Sequence, residues 1–574
     1  MEAQSIVELV SVAASILVLS PLLAAYMTRV YTGKPHLLSF LCPLEARFYR
    51  LIGADPREGM DWKGYAKNLL LLSLTSTLLL FALLVGQGFM PLNPRRFPGL
   101  RWDMALNTAI SFMTNTNWQS YSGESTLGYF AQMLGLTVQN FLSAAAGMAV
   151  SVAVTRGLSG GAGRATPGSP PAGHHLAEGP TGSDGPKLGN FWVDTTRSVI
   201  YVLLPLSLIL ALSLSGLGVI QNFSAYVPFK TIAGKASVLP MGPVASQVAI
   251  KQLGTNGGGF FGQNSSHPFE NPTPLSNLLE LLGLIVIPGA FPLLFGRLTG
   301  RRREGVTLFG VMFLLFALGA GLTIQTELSS GGLEGKELRF GVVDSALWAE
   351  MTTMTSSGSV NAMHDSLAPL AGLVPLVNMM LGEVVFGGVG SGLYGMLALV
   401  VVTVFIAGLM VGRSPEYLGR RVEAREVQLA MAAIILPNLA ILVPSALSVL
   451  LEAGTAPIGN PGPHGLSEIL YAFSSAAGNN GSAFAGLGTN TYYYNLVLGL
   501  CMLVGRFGVM VPLLALADGM AAKPTHAETA STFATSGLLF GGLLVGVVLI
   551  IAGLTHFPAL SLGPILDHLV RTAP

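Results

Sequence analysis

The sequence predicts an all-α polytopic membrane protein with about ten transmembrane helices. Only 10% of its 574 residues are charged and 51% are hydrophobic, whereas roughly 25% of the residues in soluble domains carry a charge. Ten apolar stretches approach or exceed the roughly 18 residues that cross a bilayer as a helix. These observations argue against a soluble fold of this length.

The predicted spans occupy residues 7–28, 68–90, 127–155, 196–220, 275–296, 305–325, 371–411, 427–451, 494–516 and 535–555. We expect the first to be a retained helix, because Glu2 and Glu8 stand where a cleavable signal peptide would carry positive charge. With the amino terminus outside, the inside connections hold nineteen basic residues and the outside connections hold eight. Since inside loops concentrate Lys and Arg, we expect both termini outside.

Composition and spacing disfavour several other classes of protein. The net charge of +1 lacks the basic excess of a nucleic-acid-binding domain. Cys42 and Cys501 are far apart and have no His partner at metal-ligand spacing, so neither a disulfide framework nor a zinc site is indicated. Residues 157–189 are rich in Gly and Pro, which predicts a flexible inside linker. His174 and His175 are expected to be solvated there, the alternative being adventitious metal binding.

The four long outside connections contain a repeated unit. In each, a segment able to form a short helix precedes a polar cluster, and a helix-starting residue stands twelve positions before an equivalent residue of the cluster. The pairs are Asp103 and Asn115, Pro243 and Thr255, Asp344 and Ser356, and Ser467 and Asn479. The matched spacing predicts four structurally equivalent segments.

The polar clusters are TNTNWQSY from Thr114, GTNGGGFFG from Gly254, TSSGSVNAMH from Thr355 and GNNGSAFAG from Gly478. One such cluster is typical of an ordinary turn between spans, but four in matched register favour a shared role. A loop at membrane depth must satisfy its backbone groups within protein or line a watery cavity. The units therefore predict short helices that re-enter the membrane and end in loops.

The clusters have the chemistry of a cation filter. The carboxyl end of each short helix carries partial negative charge and points at a loop whose carbonyls can replace the hydration shell of an ion. Gly257, Gly358 and Gly481 permit the backbone angles that turn consecutive carbonyls inward, and Asn117 occupies the matching place in the first unit. The clusters contain no Asp or Glu, so neutral dipoles are left for coordination, which favours a weakly hydrated monovalent cation.

The arrangement of span, re-entrant helix, filter and span resembles the superfamily of K⁺ transporters related to potassium channels. Particular strings resemble the KdpA family, the potassium-binding subunits of Kdp potassium-transporting ATPases, over nearly the whole chain. They are NTNWQSYSGE from Asn115, GTNGGGFF from Gly254, HPFENPTP from His267, MTSSGSVNAMHDS from Met354, GEVVFGGVGSGLYGM from Gly382, GRSPEYLGRRVEAREVQ from Gly412 and VGRFGVM from Val504. The main departure is the long Gly/Pro linker.

The resemblance implies four channel-like M1-P-M2 repeats around one pore, with one extra helix at each end. The implied divisions are an amino-terminal helix at 1–30, repeat 1 at 64–156, a flexible cytoplasmic linker at 157–190, repeat 2 at 191–300, repeat 3 at 304–412, a cytoplasmic loop at 413–424, repeat 4 at 425–516 and a carboxy-terminal helix at 530–556.

The resemblance also implies a function and its partners. Such a subunit selects K⁺ from outside and passes it to a KdpB-like P-type ATPase subunit, together with a KdpC-like subunit and a small KdpF-like peptide, in the lipid of a bacterial inner membrane. We expect no catalytic residues and no bound nucleotide here, since the chain lacks a DKTGT motif and a P-loop. The expected filter residues are Asn115, Thr116, Asn117, Thr255, Asn256, Gly257, Ser356, Ser357, Gly358, Asn479, Asn480 and Gly481.

A Gly-rich stretch interrupts the predicted span that follows the third filter. Residues 390–395, GSGLYG, match the GxGxxG dinucleotide fingerprint only formally, because no strand or βαβ unit precedes them. An unwound helix that closes the path below the ion is the better interpretation, and the resemblance also points to a gating loop. Its candidate residues are Glu383, Gly387, Gly388, Gly390 and Gly392. The buried Glu383 either attracts a dehydrated cation, which we favour, or pairs with a neighbouring dipole.

Two further residues are candidates near the path. Arg506 lies in mid-span, where an arginine is costly unless it faces the bundle interior or water. We expect it to act on the ion pathway, the alternative being a structural tie between the third and fourth repeats. Gln119 follows the first filter and either contacts ions at the filter mouth or braces the loop.

Three other functions were weighed. A stand-alone Trk/Ktr-like K⁺ channel or symporter would share the filter repeats but work without a pump subunit, and strings such as HPFENPTP and GRSPEYLGRRVEAREVQ disfavour it only through the resemblance. A secondary transporter for an organic solute is expected to bind its substrate at mid-membrane on inverted repeats, which four matched outside loops do not resemble. An enzyme is disfavoured because no nucleophile and base pair stands out.

Overall fold

The computed structural model describes residues 3–160, 188–526 and 532–572, and this part of the chain contains ten helices long and apolar enough to cross a membrane. The predicted number of spans is therefore confirmed. Most of the predicted linker, with His174 and His175, lies outside the described residues. The ten spans are Ile6–Tyr31, Trp62–Val85, Ala131–Ser159, Phe191–Gly216, Pro274–Leu298, Arg302–Ser330, Ser391–Val411, Ala424–Leu450, Tyr492–Ala521 and Leu538–Thr572.

The helices are numbered α1 to α20 in chain order. They are α1 Ala3–Tyr31, α2 Cys42–Ile52, α3 Trp62–Val85, α4 Trp102–Met113, α5 Gly123–Thr126, α6 Val138–Ser159, α7 Phe191–Arg197, α8 Leu204–Gly216, α9 Val244–Leu253, α10 Pro274–Leu298, α11 Arg302–Ser330, α12 Gly341–Met354, α13 Pro369–Met380, α14 Ser391–Val411, α15 Ala424–Leu450, α16 Glu452–Thr455, α17 Pro463–Gly478, α18 Tyr492–Ala521, α19 Leu538–Leu560 and α20 Leu566–Thr572. Wider π-helical turns lead into α6 and join α7 to α8 and α19 to α20.

Two small antiparallel hairpins complete the described fold. The first pairs β1, Val227–Lys230, with β2, Ala236–Leu239, in the connection before α9. The second pairs β3, Glu416–Tyr417, with β4, Arg420–Arg421, between α14 and α15. Neither hairpin lies within a span.

Two predicted spans differ from the structure. The stretch at 371–411 is two helices, α13 and α14, separated by a non-helical break at 381–390. Gly382 and Gly390 in the break have φ of +77° and +100°, angles that interrupt a right-handed helix. The last span does not stop at residue 555 but continues to Thr572, bending where Gly563 leaves helical geometry.

The spans form an inner and an outer layer. In the third, fifth and seventh spans 83%, 72% and 67% of the most apolar stretch is buried, and in the ninth 44%. In the second, fourth, sixth and eighth spans the corresponding values are 33%, 33%, 39% and 28%, and in the first and last they are 22% and 28%. The helix that follows each polar cluster thus lies inside the helix that precedes it.

The four short helices α4, α9, α12 and α17 precede the polar clusters as predicted, but three of them begin earlier than expected. Asp103 lies in the first turn of α4, after Arg101. Asp344 lies in the first turn of α12, after Phe340, and Ser467 lies inside α17, which starts at Pro463. The expected helix starts were wrong at these three places: α4 already begins at Trp102 and α12 at Gly341, and Pro463 at the first position of α17 initiates that helix. Pro243 does precede α9 directly.

One histidine links the carboxy-terminal helix to the fourth short helix. His464, near the start of α17, is buried and contacts Asp365 Oδ1 at 3.1 Å and Asp567 Oδ2 at 3.0 Å. The hydrogen bond to Asp365 and the neighbouring carboxylates raise the pKa of His464 above its usual value. For His267, after the second cluster, burial and the Arg339 charge lower the pKa.

The two histidines predict opposite pH dependences of stability. Because the pKa of His464 is raised on folding, its stabilisation is complete below the unfolded pKa of about 6.5 and is lost as the pH rises through the folded value. His464→Gln should therefore lower the melting temperature of the purified protein more at about pH 6 than at about pH 9. His267→Gln is the matched control: its pKa is lowered on folding, so removing it should relieve acid destabilisation. A His464→Gln effect that does not vary with pH would contradict this assignment.

Candidate functional site

The four polar clusters share one backbone pattern. In each, the first and third residues of a three-residue stretch have positive φ, a conformation uncommon for residues other than Gly. The pairs are Asn115 and Asn117 (+67° and +55°), Thr255 and Gly257 (+47° and +68°), Ser356 and Gly358 (+55° and +77°), and Asn479 and Gly481 (+58° and +101°). This alternation falls on the twelve predicted filter residues, all in matched register.

Hydrogen bonds and close contacts connect the clusters in a closed ring. Between the first and second, Asn115 Nδ2 donates to the carbonyl oxygen of Thr255 at 2.9 Å. Between the third and fourth, Ser356 Oγ donates to the carbonyl oxygen of Asn479 at 3.3 Å. Between the fourth and first, Asn479 Nδ2 donates to Thr116 Oγ1 at 3.0 Å. The second meets the third where Gly257 faces the carbonyl group of Ser357.

Three glycines in the ring have no room for a side chain. A Cβ atom at Gly257, Gly358 or Gly481 would collide with a backbone carbonyl oxygen of the next cluster. These carbonyls belong to Ser357, Asn480 and Thr116. From the sequence, these glycines were explained by the backbone angles they permit. The contacts add a second reason, because neighbouring repeats leave no space for a side chain.

Each short helix supports its cluster through one carbonyl group near its carboxyl end. The carbonyl oxygens of Ser111, Lys251, Thr352 and Ser475 stand four positions before the first positive-φ residue and accept hydrogen bonds from the loop. The donors are Thr116 at 2.9 Å, Asn256 at 2.8 Å, Ser357 at 3.0 Å and Asn480 at 2.9 Å. The negative end of each helix dipole is thus directed at the loop, as the sequence predicted.

Gln119 braces the second cluster. Its Oε1 accepts a hydrogen bond from the backbone N–H of Gly259 at 2.8 Å, and its Nε2 donates to the carbonyl of the same residue at 3.3 Å. The side chain is half-buried. Of the two interpretations of Gln119, these contacts support the bracing one.

The break between α13 and α14 lies directly against the ring. The backbone N–H of Val389 donates to Thr255 Oγ1 at 3.0 Å, and Gly388 packs beside Thr255 and Ser356. Gly387 and Gly392 approach each other, while Gly390 packs on the Gly147 backbone of α6. All four candidate glycines therefore fall in the break or in the first turn of α14, and GSGLYG spans the same junction.

Glu383 in the break is buried and contacts the fourth cluster. Asn480 Nδ2 donates to Glu383 Oε1 at 2.6 Å, and Glu383 itself has φ of +51°. Its other oxygen, Oε2, has no hydrogen-bond partner among the described residues. The neighbouring-dipole interpretation thus accounts for only one of the two carboxylate oxygens.

A small cavity adjoins the ring. It has a volume of about 40 Å³. Its lining includes the first positive-φ residue of three clusters, namely Asn115, Ser356 and Asn479. Arg506 forms part of its wall opposite Ser391 at the start of α14. The Arg506 side chain is buried and donates to the Ser143 carbonyl at 2.7 Å, and no ion pair among the described residues includes it. This hydrogen bond joins α18 to α6, and Ser391 and Tyr394 of α14 line the same cavity.

Sequence reasoning missed the polar residues behind the filter. Asn140 and Ser143 on α6 hydrogen-bond to Asn117 and Asn115 at 2.7 and 2.8 Å. Lys251 and Glu270 form a fully buried ion pair beside the second cluster. The available signal was polar side chains within an apolar span, and a lysine within a segment predicted to re-enter the membrane.

Comparison with known proteins agrees with this geometry. The family model described as KdpA, potassium-transporting ATPase A subunit, matches residues 10–569. The potassium-transporting ATPase potassium-binding subunit of Edwardsiella ictaluri is 51% identical over 97% of this chain and 96% of its own length. The protein of the same name from Pseudomonas aeruginosa is 50% identical over 99% of both chains.

A solved structure shares the fold. The potassium transporter TrkH from Vibrio parahaemolyticus superposes with a TM-score of 0.51, at 16% sequence identity, over 90% of this chain and 98% of that chain. This confirms the predicted class of all-α membrane protein with channel-like repeats. Because a family model and full-length relatives of about half-identical sequence agree, the chain belongs to the KdpA family, the A subunits of potassium-transporting ATPases.

Proposed function

We propose that this chain is the K⁺-binding and K⁺-translocating subunit of an ATP-driven potassium uptake complex. The observation that carries the proposal is the closed ring of four clusters with alternating positive φ, held by the carbonyl ends of four short helices. The potassium-binding subunits of the relatives support the choice of ion. The family match favours a pump subunit over a stand-alone Trk/Ktr-like channel.

The chemistry of the ring suits K⁺. Within the twelve filter residues the available groups are backbone carbonyls, amides and hydroxyls, and none is a carboxylate. A ring of neutral dipoles can replace the shell of a weakly hydrated cation without binding it too tightly to leave. Bound K⁺ is the transported substrate in this proposal, and no nucleotide is required by this chain.

Below the filter, the loop at 381–390 and Arg506 control onward passage. The loop contacts three clusters and borders the 40 Å³ cavity, so an ion leaving the filter meets the loop first. The guanidinium group adds an uncompensated positive charge to the same cavity, which opposes straight passage inward. Glu383 lies separately at the edge of the fourth cluster, where it would attract a cation.

The ATP-driven step belongs to partners. The A-subunit family name implies an ATPase complex, and we assign the partners as a KdpB-like P-type ATPase, a KdpC-like subunit and a small KdpF-like peptide. We place the complex in a bacterial inner membrane, with both termini of this chain outside and its four repeats at 64–156, 191–300, 304–412 and 425–516. The test is co-purification of a P-type ATPase whose hydrolysis is stimulated by K⁺; K⁺ conduction by the isolated chain would favour the stand-alone channel.

The filter is tested by Gly481→Asp. The new side chain would run into the Thr116 carbonyl and strain a positive-φ position by about 1–3 kcal/mol. We expect the apparent K⁺ affinity of ATPase stimulation to fall roughly tenfold or more, with Na⁺ stimulation appearing because a carboxylate favours more strongly hydrated cations. Gly488→Asp is the control, since Gly488 lies at an ordinary φ with only van der Waals neighbours. Equal K⁺ affinity and Na⁺ rejection in both variants would remove the fourth cluster from the filter.

The break is tested by Gly387→Ala and Gly390→Ala. A methyl group at Gly387 collides with the Glu383 carbonyl, and at Gly390 with the Gly147 carbonyl. Each change also favours continuous helix by about 1 kcal/mol. Passive K⁺ leak into vesicles without ATP should rise. Gly546→Ala, which has open space around it, should leave the leak unchanged, and an unchanged leak in the break variants would argue against a gate here.

Arg506→Ala tests the pathway role of the arginine. Removing a buried charge that lines the cavity changes the electric field along the ion path more than it changes packing. We therefore expect K⁺-stimulated ATP hydrolysis to persist while transported K⁺ per ATP falls. Arg506→Lys keeps the charge and should retain more coupling. Wild-type values of both activities in Arg506→Ala would make the residue structural only.

A further inference from the structure

Lys251 gives one wall of the filter a charge that the other three walls lack. It occupies the register position that is Ser111, Thr352 and Ser475 in the other short helices, four residues before the first positive-φ residue. At all four positions the backbone carbonyl accepts a hydrogen bond from the loop. At this position the second short helix therefore differs from the others only in its side chain. Only 1% of the Lys251 side chain is exposed, and a buried ammonium group is costly unless it is paired and hydrogen-bonded.

The ammonium group has two partners behind the second cluster. It pairs with Glu270 Oε2 and donates to Asn264 Oδ1 at 2.6 Å. The other oxygen of Glu270 accepts the backbone N–H of Phe261 at 2.8 Å. Lys251 is thus fixed at one end by α9 and at the other by the loop that follows the filter.

Asn264 transmits this arrangement to the filter backbone. Its Nδ2 donates to the Gly258 carbonyl at 2.5 Å, and its own φ is +55°. In the first repeat the equivalent carbonyl, that of Trp118, accepts a hydrogen bond directly from Ser111 Oγ at 3.0 Å. In both repeats, a side chain thus donates a hydrogen bond to the carbonyl of the residue that follows the three filter residues. In the second repeat the donor, Asn264, is itself held by the charged Lys251–Glu270 pair.

We propose, on the basis of the function proposed above, that the Lys251–Glu270 pair is a positioning element of the K⁺ filter that sets ion selectivity by holding Asn264 on the Gly258 carbonyl and by keeping the second wall electrically neutral. The two residues contact the filter support and not the ion. Loss of either charge leaves the other one buried beside the cation site. A lone positive charge repels the cation, and a lone negative charge attracts cations with less discrimination.

The pair is tested with Glu270→Gln, Lys251→Met and the double variant in the complete ATPase complex. We expect Glu270→Gln to lower the apparent K⁺ affinity about tenfold and Lys251→Met to raise or retain it while admitting Na⁺. The double variant restores neutrality, so its K⁺ affinity should lie between those of the single variants. Its Na⁺ rejection should stay below that of the wild type, because Asn264 has lost its anchor.

The controls separate a filter role from a packing role. Lys336→Met and Glu327→Gln break another buried pair, with a 2.7 Å contact, and should change stability without moving K⁺ affinity in opposite directions. If both Lys251→Met and Glu270→Gln lower K⁺ affinity equally and the double variant rejects Na⁺ like the wild type, the pair only stabilises packing. If a single variant fails to assemble, the charge-neutral double variant still decides the question. Absence of K⁺ selectivity in the wild type would overturn the proposed function itself.

Discussion

A loop inside a membrane protein can present its carbonyl oxygens to an ion only if its N–H groups are satisfied elsewhere, since lipid supplies no hydrogen bonds. Here the N–H groups of the four clusters bond to carbonyls near the ends of α4, α9, α12 and α17. This pairing satisfies loop N–H groups and directs the negative end of each helix dipole toward the loop. The remaining architecture maintains that arrangement.

The layering of the spans follows from the need to hold these loops in place. The helices that follow the clusters are the most buried, and α6 supplies Asn140 and Ser143 directly to filter residues. The outer helices α3, α8, α11 and α15 mainly separate this polar interior from lipid. Small residues are needed where backbones meet, as at Gly147 against the break and Gly505 against Ala477. Packing of this kind requires close backbone approach more than large side chains.

Much of this could be predicted because hydropathy and register are properties of the sequence itself. The spans followed from apolar length, and the filter positions followed from a constant twelve-residue spacing. The start of α17 could not be predicted, because Pro463 and Ser467 are both residue types that begin helices and only the three-dimensional context decides between them. The Lys251–Glu270 pair could not either, since 19 residues separate its members and a lone lysine indicates only a preference for water. The length of the last helix was underestimated: its apolar stretch was taken to end at residue 555, whereas the helical segment continues past Pro558 to Thr572.

Building the ring from four unlike segments of one chain has a consequence for heredity. In a channel assembled from four copies of one subunit, a single codon change alters every wall at once. In this chain a codon change reaches one wall only, so each cluster can vary while three others preserve the ion site. The present clusters already differ in this way, with NTNW, TNGG, SSGS and NNGS at equivalent places. A symmetric tetramer could not place a lysine behind one wall and hydroxyl side chains behind the other three, because one gene would encode all four walls.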